Sequence, residues 1–180
     1  MNAEKIIAIA KREHNTKRSF LVVNRYQGKH VPISPDKPFH MFSALADLTA
    51  ERYRGERLLL IGFAETATAI GETLAVRLDT DYMQTTRENL PGAEYLYFSE
   101  SHSHAAEQRV VKNDLDQVIA QTDRIVFVED EVTTGNTIGK IVRLIRQTYG
   151  KKLNFAAASL LNGMDEEARA RYQTEQIDLV

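Results

Sequence analysis

Arg124-Ile-Val-Phe-Val-Glu129-Asp130-Glu131-Val-Thr133-Thr134-Gly135-Asn136-Thr137 is an apolar run that turns acidic, then small and hydroxylated. Ile125 to Val128 predict a buried strand of the parallel kind. Ile138, Ile141, Val142 and Ile145 share one face of a helix expected over Ile138 to Tyr149, with Gly150 as its stop. Between strand and helix, the N–H groups of a small-residue loop face outward and carry partial positive charge, which suits a phosphate. Thr133, Thr134 and Thr137 add hydroxyl donors, Asn136 adds an amide, and Gly135 permits backbone angles that a side chain forbids. Carboxylates directly before such a loop repel a phosphate unless they serve another group. Ribose hydroxyls, which donate to carboxylates, or a Mg²⁺ ion are the natural candidates. The stretch reads as a site for a phosphorylated ribose.

The same alternation extends in both directions. Leu58 to Phe63 is a fully apolar strand followed by a Thr-rich turn and a helix through Leu74. Tyr82 to Arg87 and Tyr95 to Phe98 are weaker strands, and Asp114 to Gln121 is an expected helix. Phe155 to Leu161 is the next strand, then a helix from Asp165 to Tyr172. Ile177 to Val180 reads either as a closing edge strand or as the start of a strand in a longer chain. Alternating strands and helices imply a Rossmann-like parallel α/β sheet with helices on both faces. Residues 1–54 differ. Ile6, Ile7, Ile9 and Ala10 suggest a short helix, Phe20 to Val23 a strand, and Gln27 to Pro38 irregular chain. Ser43 is an expected N-cap for a helix that turns Leu45 and Leu48 inward and ends near Gly55.

Composition narrows the classes. A chain of 180 residues, 43% hydrophobic and 27% charged, is expected to form one globular domain. Its net charge is −2 with no basic run, which argues against nucleic acid. The lack of cysteine excludes disulfides, thiolate metal sites and a Cys nucleophile. No apolar stretch approaches the roughly 20 residues of a membrane span. The start of the chain is amphipathic and carries Glu4, unlike a signal peptide, so a cytoplasmic location is the expectation.

Three further segments are candidates for a site. Ala64-Glu65-Thr66-Ala67-Thr68 follows a strand and opens a helix, so its amides suit a second anionic group; the plain alternative is a cap formed by Thr66 or Thr68. In Glu100-Ser-His102-Ser-His104 the two imidazoles share a side if the chain is extended. Zinc on both histidines and Glu100, or a solvated loop, are the readings that the residues allow. Arg25, Tyr26, Lys29 and His30 offer an aromatic face and several donors, suited to an acidic or carbonyl-rich ring or simply to solvent. Arg87 and Arg109 are isolated cations.

The 124–137 segment resembles the phosphoribosyl-diphosphate (PRPP) motif of type I phosphoribosyltransferases, with Glu129 and Asp130 at its acidic pair and Thr133 to Thr137 at its 5′-phosphate loop. Glu131 departs from it, standing where the broad family has an aliphatic residue. Gly62-Phe-Ala-Glu65-Thr66-Ala-Thr68, His102-Ser-His104-Ala and Gly28-Lys29-His30-Val-Pro32 are similar to a narrower branch, the phosphoribosyltransferase-like proteins of tellurium-resistance-associated gene clusters. The resemblance implies a type I phosphoribosyltransferase fold with residues 1–54 as a hood that recognises the base and 55–180 as the core sheet. It implies transfer of ribose 5-phosphate from PRPP to a nitrogenous base with release of pyrophosphate. Glu129 and Asp130 would hold ribose hydroxyls and Mg²⁺, directly or through water, and residues 64–68 would take the pyrophosphate. Glu65 is unusual there and would orient a metal-bound water or bind the nucleophile's polar edge. His102 or His104 would act from a closing loop, with Arg87 or Arg109 as pyrophosphate partners. A homodimer is the family expectation. The same fold also serves regulators that bind PRPP or nucleotides without turning them over, and a ribosyl-phosphate hydrolase or lyase is a further option.

Overall fold

The computed structural model describes residues 6–11, 20–28, 32–98, 108–150 and 152–180. Two compact units divide the chain, Met1–Met41 and Phe42–Val180.

In the first unit, β1 (Ile7–Lys11) and β2 (Phe20–Asn24) pair as an antiparallel ribbon, with Ile9 opposite Val22. Of the helix expected around Ile6 to Ala10, Ile6 is helical and Ile7 to Ala10 form a strand. Its β-branched isoleucines alternate with alanines at a period of two, and pairing with β2 satisfies the backbone that a short isolated helix leaves to water. Helix α1 spans Asp36–Arg52, so it begins seven residues before Ser43, inside the stretch expected to be irregular. Pro38 does not prevent this, because a first-turn proline lacks only an N–H that would have no helical partner. Ser43 lies within the helix, Leu45 is buried, and Leu48 faces outward at 56% exposure.

The second unit continues with β3 (Leu58–Gly62), α2 (Thr68–Leu78), β4 (Asp81–Gln84), β5 (Tyr95–Tyr97), β6 (Arg109–Val111) and α3 (Lys112–Val118). A short 3₁₀ turn leads to β7 (Arg124–Val132), α4 (Asn136–Tyr149), β8 (Asn154–Asn162), α5 (Glu166–Thr174) and β9 (Ile177–Leu179). Five strands form one parallel sheet in the order β4-β3-β7-β8-β9. The 177–180 segment supplies its edge strand. Strands β5 and β6 form a separate antiparallel ribbon; β6 was not anticipated, since three residues carry no readable period.

All of β3 is buried, and Phe63, Phe127 and Phe155 pack in a row, with Phe127 and Phe155 stacked at 6.4 Å. From β3 the chain winds toward one edge of the sheet, and from β7 toward the other. Right-handed crossovers then place α2 and the pair α4 and α5 on opposite faces. The direction of winding reverses between β3 and β7, and a crevice opens at the carboxyl ends of strands where this happens.

Candidate active site

Gly62 and Val128 are register partners at the crevice, and Phe63 N donates to Val128 O across 3.1 Å. The loops that follow these two strands are the two phosphate-loop candidates. Residues 64–68 lead into α2 and residues 133–135 into α4. Each helix begins with no side-chain cap, at Ala67 and at Gly135. Helix α5, by contrast, is capped by Asp165, which accepts from Ala168 N at 2.8 Å. The alternative reading of residues 64–68, a cap formed by Thr66 or Thr68, is thus not met. First-turn N–H groups lack helical acceptors, so two electropositive helix ends open at neighbouring strand ends.

Strand β7 runs further than its apolar residues indicate, because pairing with β8 continues to Val132 opposite Asn162. The acidic cluster therefore sits on a strand and obeys its period of two. Glu129 and Glu131 are half-buried and line a cleft of about 130 Å³ together with Phe63 and residues 132–138. Asp130 is 6% exposed and accepts from Thr66 Oγ1 at 2.9 Å. The geometry separates the expected acidic pair, placing Glu129 beside Glu131 and Asp130 with the other loop.

That other loop is held from behind. Ala64 N donates to the Oγ1 of Thr85, a threonine 1% exposed, and Ala64 O accepts from Gln108 Nε2 at 3.3 Å. The Ala64–Glu65 peptide is cis. Neither Thr85 nor Gln108 carries a sequence signal, since only the sheet and ribbon bring them to residue 64. Gly135 adopts φ 66, the left-handed region that disfavours side chains. A Cβ there would drive into the Met164 methyl and the Tyr172 hydroxyl. Tyr172 donates to Gly135 O at 3.0 Å and Arg171 to Thr134 O at 2.5 Å, so α5 backs the loop. Burial pushes the Tyr172 phenol well above its ordinary range, with Glu175 and Glu129 acting in the same direction against Arg171.

Residues 6–179 match the phosphoribosyl transferase family. The chain belongs to this family. It is accordingly a pentosyltransferase. The adenine phosphoribosyltransferase of Streptomyces galbus is 29% identical over 130 residues, covering 71% of this chain and 69% of its own. Among solved structures, adenine phosphoribosyltransferase from Trypanosoma brucei in complex with AMP, pyrophosphate and ribose-5-phosphate superposes with a TM-score of 0.61 at 17% identity, covering 98% of this chain and 75% of that one. Orotate phosphoribosyltransferase from Aeropyrum pernix gives a TM-score of 0.60 at 17% identity over 97% of this chain and 85% of that one. At these identities the structural likeness speaks to the fold. The Rossmann-like sheet and the type I phosphoribosyltransferase fold expected from the sequence are both present.

The remaining candidates of this phosphoribosyl transferase fall into three groups. Lys29, His30, His102 and His104 lie outside the described residues. Arg25 and Tyr26 follow β2 in the Met1–Met41 unit, where Arg25 N donates to Ile6 O and the Tyr26 ring faces Lys37 Nζ at 5.6 Å. Arg109 lies over the rings of Tyr95 and Tyr97 and donates to Asn89 and to Arg87 O, so it braces the β4–β5 connection. The Arg87 side chain is exposed on that connection. Among the described residues no group of three His, Asp or Glu side chains forms a metal cage. One or two carboxylates at a strand end do fit Mg²⁺, which keeps several waters and takes its other ligands from substrate phosphates. A larger cleft, about 630 Å³, lies at the amino ends of the strands around Tyr53 and Arg57. Arg57 is engaged there by Asp123. No helix among the described residues is long and apolar enough to cross a membrane.

Proposed function

We propose that the protein transfers ribose 5-phosphate from PRPP to a ring nitrogen of a nucleobase, releasing pyrophosphate. The observation that carries this reading is the pair of helices without side-chain caps, α2 and α4, opening on either side of a carboxylate strand end at the point where the sheet reverses. Residues 133–137 take the 5′-phosphate, Glu129 and Asp130 the ribose hydroxyls, and residues 64–68 the pyrophosphate. The nitrogen lone pair forms the bond to C1 as the C1–oxygen bond to pyrophosphate breaks, through a cationic, oxocarbenium-like sugar, and the ring N–H proton leaves to water or to the departing pyrophosphate. Such a reaction gains most from alignment of the two reactants and from fixed dipoles near developing charge. Mg²⁺, when bound with PRPP, supplies charge neutralisation on the leaving pyrophosphate. Glu129 and Asp130 are the residues of this chain that would hold it.

The adenine phosphoribosyltransferase of Streptomyces galbus supports a purine acceptor, with adenine the first to try. Assignment to the tellurium-resistance-associated branch and a homodimeric state are supported by the sequence resemblance alone, and a cytoplasmic location by the pattern at the start of the chain. Calorimetric titration of PRPP with and without Mg²⁺, followed by pyrophosphate release with adenine, other purines and orotate, tests the proposal. Mg²⁺-dependent PRPP binding and base-dependent pyrophosphate release are expected. PRPP binding with no base-dependent release points to a regulator, and no binding at all overturns the reading.

A further inference from the structure

We infer that Arg171 and Tyr172, on α5, are positioning residues that aim the amides of the 5′-phosphate loop. In a trans peptide the carbonyl and the N–H of the next residue point in opposite directions. Arg171 Nη2 draws Thr134 O toward α5 at 2.5 Å, which turns the Gly135 N–H away from that helix and toward the cleft. Tyr172 Oη draws Gly135 O the same way at 3.0 Å, and Gly139 N closes the first helical turn on that oxygen, also at 3.0 Å, so the Asn136 N–H is turned with it and makes a long 3.4 Å bond to Thr134 Oγ1. Two consecutive peptide planes are thus set by one helix.

The burial differs between the two donors in a useful way. Tyr172 is 1% exposed and Arg171 half-buried, so the tyrosine is a fixed strut and the arginine also brings a cation to the back of an anion loop. Helix α5 carries the only designed-looking cap of the three helices compared above, on Asp165, which holds the start of the helix while its far end reaches the loop. The close packing of Met164 and Tyr172 on Gly135 leaves no room for the loop to collapse toward α5.

This inference rests on the 133–137 loop being the 5′-phosphate site, and the test separates the two. Ribose 5-phosphate is titrated into the full chain and into Arg171→Met, Arg171→Lys and Tyr172→Phe, with the Gly135 and Asn136 amides followed by nitrogen–proton NMR. Magnesium pyrophosphate is titrated in parallel, because its proposed loop, residues 64–68, leads into α2, on the other face of the sheet from α5. Loss of a hydrogen bond that orients a charged ligand's donors is expected to weaken ribose 5-phosphate about fivefold to tenfold in Arg171→Met and Tyr172→Phe. Arg171→Lys keeps the charge and recovers part of the loss, and pyrophosphate affinity stays as in the wild type. Unchanged ribose 5-phosphate affinity in folded variants overturns the positioning role, as does an equal loss of pyrophosphate affinity, which marks general loosening. If the wild-type chain binds pyrophosphate but no ribose 5-phosphate, the phosphate-loop assignment itself falls and takes this inference with it. Arg171→Met, altered at a half-exposed position, carries the test if Tyr172→Phe does not fold.

Discussion

Thr66 and Asp130, 64 residues apart in the chain, are joined by a hydrogen bond in which Thr66 Oγ1 donates to Asp130 Oδ1 at 2.9 Å. The bond ties the loop after β3 to the strand end that carries the acidic cluster, across the point where the sheet reverses. Asp130→Asn keeps an acceptor oxygen for Thr66 but loses the negative charge. PRPP affinity in this variant should fall about tenfold or more while the melting temperature changes little. Thr66→Val removes the donor from a carboxylate that is 6% exposed, and a loss of about 1 kcal/mol of stability is expected, restored by Thr66→Ser. Titration of PRPP and thermal denaturation of the three variants check both statements; unaltered PRPP binding in Asp130→Asn removes that residue from the site.

Gly135→Val acts on the back of the loop rather than its mouth. The new Cβ meets Met164 and Tyr172, at a φ of 66 that a β-branched residue does not tolerate. A destabilisation of about 3 kcal/mol or more is expected, with loss of phosphate binding. Urea unfolding checks it, and a variant as stable as the wild type would show that the loop can move off α5.

Alkaline pH should weaken the fold through its raised tyrosines, Tyr53 and Tyr82 among them. Burial, with Asp178 beside Tyr53 and Glu72 near Tyr82, pushes both phenols up from 10.0 to about 12. The folded chain therefore holds these protons more tightly than the unfolded one. That stability is complete below about pH 10 and is lost as pH rises toward about 12. Melting temperatures measured from pH 8 upward should start to fall near the lower of those values, and Tyr82→Phe should flatten the decline. The Tyr82 ring lies against Gly62 and Gly71, so phenylalanine fills the same space and loses only a long 3.4 Å bond to Thr68 O.

Arg124 holds the opposite end of β7. Its guanidinium reaches Glu56 at 2.7 Å and Asp178 at 2.9 Å and lies 4.1 Å over the Tyr53 ring. The arginine is 9% exposed but its partners are partly solvated, so Arg124→Met should cost about 2 kcal/mol, below the range for a fully buried pair. PRPP affinity of the folded variant should match the wild type, since the network lies at the amino ends of the strands. A large loss of affinity with little loss of stability would contradict this placement.

Local pattern determined the strands of the sheet and the loop that matters most. Leu58 to Gly62 and Ile125 to Val128 are legible because strands buried on both faces must be continuously apolar. The Thr–Gly segment before α4 is legible because only small residues and glycine suit an exposed helix N-terminus at φ 66. Where a segment's fate depends on a partner distant in sequence, the pattern misled or was silent. Ile7–Lys11 is a strand because Phe20–Asn24 lies beside it, and β7 extends through Glu129 to Val132 because β8 pairs that far. The strand order, the division of Glu129 and Glu131 from Asp130, the Thr66–Asp130 bond and the donors from Arg171 and Tyr172 were decided by tertiary structure alone. Each depends on which elements meet, and a side chain's own sequence neighbours carry no record of a contact 37 or 64 residues away.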